Sequence, residues 1–125
     1  MNPLSLMVGG ALSCLVFAGS NAAHAQETSG GRANERQLAT GLAGGSGSAI
    51  GPDGALYVTE TAAGRISRID LESGEITMFA EGLPKEMIGI GGAMDVAFIG
   101  DTAYALVTLV GEDVGGSDAV GIYRV

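Results

Sequence analysis

Four carboxylates, Glu60, Glu112, Asp113 and Asp118, are the residues of this chain best placed by type to do chemistry. Oxygen-only ligands of this sort suit a hard cation such as calcium. Glu60 ends an apolar run, where a carboxylate can face a channel and hold a cation, or simply sit in water. The other three cluster in "GEDVGGSD", Gly111 to Asp118. That stretch lacks the spaced acids and closing glutamate of an EF-hand loop, so a solvated loop is the competing reading. No catalytic residue and no cofactor are assigned, and calcium is the one inorganic partner the residue types permit. Two glycine runs carry no nucleotide chemistry. "GGSGS", Gly44 to Ser48, lacks the Gly-Lys-Ser/Thr of a phosphate loop, and "GIGGAM", Gly89 to Met94, lacks the third glycine of a dinucleotide fingerprint. Both read as connections. Arg65 and Arg68 are expected to project into solvent from one side of their strand.

The single histidine, His24, and single cysteine, Cys14, lie in the first 26 positions, where no charged residue occurs. There "LSLMVGGALSCLVFA", Leu4 to Ala18, is an apolar-to-small run, and "AHAQ" follows at Ala23 to Gln26. An apolar core of this length before an A-x-A site is the secretory pattern, although the usual basic residue near Met1 is missing. An uncleaved anchor is the alternative, and it is short for a bilayer. "ALS" before Cys14 is a poor lipoprotein approach. Cleavage after Ala25 yields an exported chain, periplasmic or extracellular, with no stable membrane insertion. That chain has no thiol or imidazole, so disulfides, Cys or His nucleophiles and ordinary zinc sites are excluded. A net charge of −8 argues against nucleic acid, whose binding calls for clustered Lys and Arg.

The elements that must position these side chains are short. Residues 26–36 read as a flexible lead-in, polar and glycine-bearing. Beyond it, "RQLA", "ALYVTE", "GRISRID", "EITMFA", "MDVAFI", "TAYALVTLV" and "VGIYRV" are apolar bursts punctuated by Gly, Asp and Pro. They indicate strands of an all-β domain over 37–125. "GPDG", Gly51 to Gly54, reads as a reversal, with Pro52 fixing φ and Gly54 permitting a positive one. "LESGE", Leu71 to Glu75, is a second tight connection, through Gly74.

Segments recur. "AIGPDGALYVTE" aligns without a gap on "AFIGDTAYALVT", Ala49 meeting Ala97 and Val58 meeting Leu106, 48 positions on. "RISRI" meets "GIYRV" with Arg68 on Arg124, and "LATGL" meets "FAEGL". Spacings of about 40 to 55 residues are those of propeller blades. The expected fold is a β-propeller of four-stranded antiparallel blades. About two blades are present, an incomplete set, since closure takes roughly four to eight.

"GPDGALYVTETAAGRISRID", "GGAMDVAF" and "GIYRV" together resemble the ScyD/ScyE family, exported NHL-like propellers associated with biosynthesis of the pigment scytonemin. "GPDGALYVTE" alone is shared more widely, with streptogramin lyases, gluconolactonase-like proteins and NHL-repeat proteins. The resemblance implies a non-catalytic binding or scaffold protein with a small-molecule or protein partner, accessory to scytonemin-type pigment metabolism. The alternative is a metal-assisted lyase or lactonase on the same scaffold, against which the missing imidazole counts.

Overall fold

Antiparallel strand pairs in two sheets make up the compact unit, Gln37–Val125, in a computed structural model that describes residues 35–125. The expected signal segment, with Cys14 and His24, and all but the last two residues of the lead-in lie outside the described residues. The first sheet has the order β1(Gly45–Ile50), β2(Leu56–Glu60), β3(Arg65–Ile69), β4(Ile76–Ala80). The second has the order β5(Gly92–Ile99), β6(Thr102–Thr108), β7(Gly121–Arg124). Among the described residues the remaining regular element is one 3₁₀ turn, Glu112–Val114.

The turns fold as their residues dictate. In "GPDG" the Gly54 N–H donates to the Gly51 carbonyl at 3.0 Å, and Asp53 Oδ1 accepts from the Ala55 N–H. Gly54 takes φ +79, a region closed to most side chains. In "LESGE" the Asp70 carboxylate accepts from the Glu72 and Ser73 N–H groups, and Gly74 closes the turn at φ +76. Those backbone bonds hold the Asp70 carboxyl below the usual aspartate range.

One expected strand is absent. "RQLA" has no regular structure, and the bonding to the first sheet begins further along the chain. The carbonyls of Ala43 and Gly44 accept from Ala62 and Thr61 in the β2–β3 turn.

The two sheets stack through one core. Tyr57 and Ile66 of the first sheet bury against Val96, Ala103 and Ala105 of the second. Tyr57 is the aromatic pivot: its ring centroid lies 4.9 Å from Phe79 and 4.7 Å from Phe98, both edge-on. Edge-on rings of this kind add about 1 kcal/mol each beyond burial. Thr59, fully buried, stitches the same seam. Its hydroxyl accepts from the Gly47 N–H and lies within donating distance of the Met94 carbonyl on β5. At Gly47 the sheets approach so closely that a Cβ would overlap the Asp95 carboxylate.

The register proves the internal repeat and corrects its alignment. Gly45 pairs Glu60 and, after a bulge, Ser48 pairs Val58; Ala93 pairs Val107 and, after a bulge, Val96 pairs Ala105. Likewise Ala49–Tyr57–Arg68 matches Ala97–Tyr104–Arg124. The first and third strands therefore correspond as the sequence indicates, but the middle strands correspond with a one-residue slip. Val58 matches Ala105, and Leu106 matches Thr59. The cause is turn length: the second copy closes its hairpin over Gly100 and Asp101, whereas the first uses Gly51 to Ala55. A one-residue slip exchanges the two faces of a strand.

Candidate functional site

Glu60 is neither a solvated strand end nor an open ligand. It is 0% exposed, and four donors fill its carboxylate. Oε1 accepts from Arg65 Nε at 2.9 Å and from the Ser67 hydroxyl; Oε2 accepts from an Arg65 terminal nitrogen at 2.9 Å and the Ala43 N–H at 2.6 Å. A carboxylate has about four lone-pair sites, so none is left for a cation without displacing a donor. Burial by itself pushes the carboxyl up. The Arg65 guanidinium, the Ala43 N–H and the Ser67 hydroxyl outweigh it and lower the carboxyl from 4.5 to about 2. Cross-strand register makes this possible, since Glu60 faces Arg65 directly across β2 and β3.

Arg65 and Arg68 do not share a side, which corrects the sequence reading. Three positions apart on a strand, they alternate faces. Arg65 serves Glu60, while Arg68 Nε donates to Asp53 Oδ2 at 2.6 Å on the face of Tyr57. Arg68 holds the Asp53 carboxyl below its usual value; burial, with the Asp53 charge beside it, pushes the Tyr57 phenol up.

The three loop carboxylates lie elsewhere. Glu112 and Asp113 sit exposed on the 3₁₀ turn within the β6–β7 loop. Asp118, also exposed, lines a cleft of about 540 Å³ between residues 82–87 and 115–118. Among the described residues no three His, Cys, Asp or Glu side chains gather to hold a metal ion.

The residue missed by sequence reasoning is Glu86. It lines that cleft and a second of about 290 Å³, which runs beside Gly44, Ser46, Thr61 and Met94. Two contacts to Thr61 fix it. The Glu86 N–H donates to the Thr61 carbonyl at 3.0 Å, and Oε2 lies 3.1 Å from the Thr61 hydroxyl. That hydroxyl has one hydrogen, shared between Glu86 and the Gly44 carbonyl at 2.7 Å. Only "PKE", an ion-rich step inside a long connection, marked the position in the sequence. Both clefts open at the end of the sheets that carries the β2–β3, β4–β5 and β6–β7 connections. This end can recognise polar groups through hydroxyls, backbone and one fixed carboxylate. Among the described residues no helix is long and apolar enough to cross a membrane.

No family model matches the chain, and neither does any curated protein. Among solved structures it is similar to the PQQ-bound aldose sugar dehydrogenase of Streptomyces coelicolor, with a TM-score of 0.56 and 28% identity. The match covers 71% of this chain and 26% of that one, so the chain spans about a quarter of that protein's length. The fold is that of a β-propeller, with the two sheets as blades.

Proposed function

We propose that these blades belong to an exported propeller that binds a small molecule or a protein partner at its connection-rich end, without catalysing a reaction there. A ScyD/ScyE-type role, accessory to scytonemin-type pigment metabolism, is the biological setting we favour. The observation that carries the binding reading is the pair of clefts that meet at Glu86. Glu86 is anchored through Thr61, and the walls are otherwise mainly glycine, serine and apolar side chains, with Lys85 and Asp118 the other charged residues. Such walls offer hydrogen bonds and contact area. Calorimetric titration with an aromatic pigment precursor tests it. Binding that weakens on Glu86→Ala supports the reading, and no heat with the wild-type protein refutes it.

A second, catalytic reading is favoured by the likeness to an aldose sugar dehydrogenase. PQQ is a tricarboxylate, and its tight binding calls for cationic partners. In the connections of this end, Lys85 is the one basic residue among the described ones, against Glu81, Glu86, Glu112, Asp113 and Asp118. These residues do not fit the group, and no step is derived through it. Aldose-dependent dye reduction after addition of PQQ and calcium would favour the catalytic reading over the binding one.

A further inference from the structure

The smaller of the two clefts holds an acceptor that the protein itself leaves short of donors. Glu86 is the one charged side chain lining it, since Lys85 and Asp118 line only the larger cleft. Its one side-chain donor is the Thr61 hydroxyl, 3.1 Å from Oε2. That hydroxyl also lies 2.7 Å from the Gly44 carbonyl, and the shorter contact takes most of its single hydrogen. Among the described residues no other donor reaches the Glu86 carboxylate. Glu60, by contrast, has four donors on its two oxygens. The backbone oxygens beside Glu86 are committed: the Gly44 carbonyl accepts the Thr61 N–H and hydroxyl, and the Thr61 carbonyl accepts the Glu86 N–H.

We infer that the smaller cleft is a subsite for the protonated amine of a one-ring aromatic ligand, with Glu86 as its specificity-determining residue. The inference deepens the binding reading above and rests on it. A single carboxylate balances a single positive charge, and an ammonium brings N–H donors to an oxygen that lacks them. A divalent cation is a poorer guest, because it takes about six or more oxygens and the carbonyls here are committed. The Ser46 hydroxyl, which donates to the Met94 sulfur at 3.8 Å, keeps its lone pairs for a second N–H of the guest. The ring has a wall of its own. Ile90, 50% exposed, and Met94 line the same cleft, and a thioether makes favourable contact with an aromatic ring. A volume of about 290 Å³ is at the small end of ligand pockets and suits one ring. The surrounding charge agrees, since the acids that outnumber Lys85 in these connections repel an anion.

Ligand-observed NMR titration of the full chain with phenethylamine, phenethyl alcohol and phenylacetate tests this, because the probes match in size and differ in charge. The amine is expected to bind about tenfold more tightly than the alcohol, and phenylacetate most weakly. Raising the salt from about 0.02 to about 0.5 M should erode the advantage of the amine and leave the alcohol unmoved. In Glu86→Gln, which keeps the backbone anchor to the Thr61 carbonyl, amine and alcohol should bind alike. Equal affinity of amine and alcohol for the wild type overturns the inference and leaves the binding reading standing, as does tightest binding of phenylacetate. An advantage that survives in Glu86→Gln also overturns it, because the selecting charge then lies elsewhere. Binding of none of the probes overturns it too, while heat with the pigment precursor would still uphold the binding reading. The salt series needs no variant, so it decides even where Glu86→Gln fails to fold.

Discussion

Glu60→Gln keeps the size of the side chain while turning an acceptor-only group into one that points an NH₂ at donors. Arg65, Ser67 and Ala43 together hold the carboxylate. A folded carboxyl at about 2, against 4.5 when free, corresponds to about 3 kcal/mol of stability at neutral pH, at 1.36 kcal/mol per unit. Removing one partner of a buried pair costs about 3 to 5 kcal/mol. The low end applies here, because the Arg65 side chain is 38% exposed and water can reclaim it. The sign fixes the pH profile. Since the folded value is depressed, the contribution is complete above about pH 4.5 and fades as pH falls toward 2. Urea unfolding of wild type and variant at several pH values is the assay. The gap should be about 3 kcal/mol at pH 7 and shrink steadily below pH 4.5. Equal stability at pH 7, or a gap that ignores pH between 4.5 and 2, would refute the electrostatic account.

Gly54→Ala and Gly74→Ala separate backbone strain from collision. Both positions have positive φ, but a Cβ at 54 meets nothing within 4 Å, whereas one at 74 runs into the Leu38 carbonyl. Thermal unfolding should show a loss of about 1 kcal/mol for the first and clearly more for the second. Gly47→Ala forces a Cβ to 2.6 Å from the Asp95 Cα and should cost about 1 to 3 kcal/mol by overpacking the seam. Tyr57→Ala removes the ring that meets Phe79 and Phe98 and should cost about 3 to 5 kcal/mol in the same assay. Calorimetric titration with calcium is expected to show no micromolar site; if one appears, substitution of Glu112, Asp113 and Asp118 locates it.

Turn residues made much of this fold legible. Pro52, Gly54 and Gly74 punctuate the chain where it reverses, and six of the seven apolar bursts around them form strands. "RQLA" has no regular structure, and its composition does not set it apart from the others. The slip between β2 and β6 was hidden by small residues. In "TAYALVT" the alanines fit either face, so hydrophobic pattern could not fix the register; Tyr57 and Tyr104 were the one clear marker. Glu60 looked exposed because three of its four donors come from Arg65 and Ser67 across the strand pair and the fourth from Ala43. The clefts at Glu86 depend on long connections folding toward each other, and no local pattern announces that.

The same register lays Glu60, Arg65 and Ser67 over Val107, Gly121 and Tyr123. One repeat holds a buried ion pair where its sibling holds an apolar side chain. Look-alike repeats in one polypeptide run the hazard of misassembly, each strand finding its twin's seat during folding. Here an exchange of β2 for β6 would bring a carboxylate to a position with Gly121 in place of its arginine and Tyr123 in place of its serine. Leaving a buried charge without its partner is costly. The ion pair thus works as a seat number, disfavouring an exchange of two hairpins that share one register.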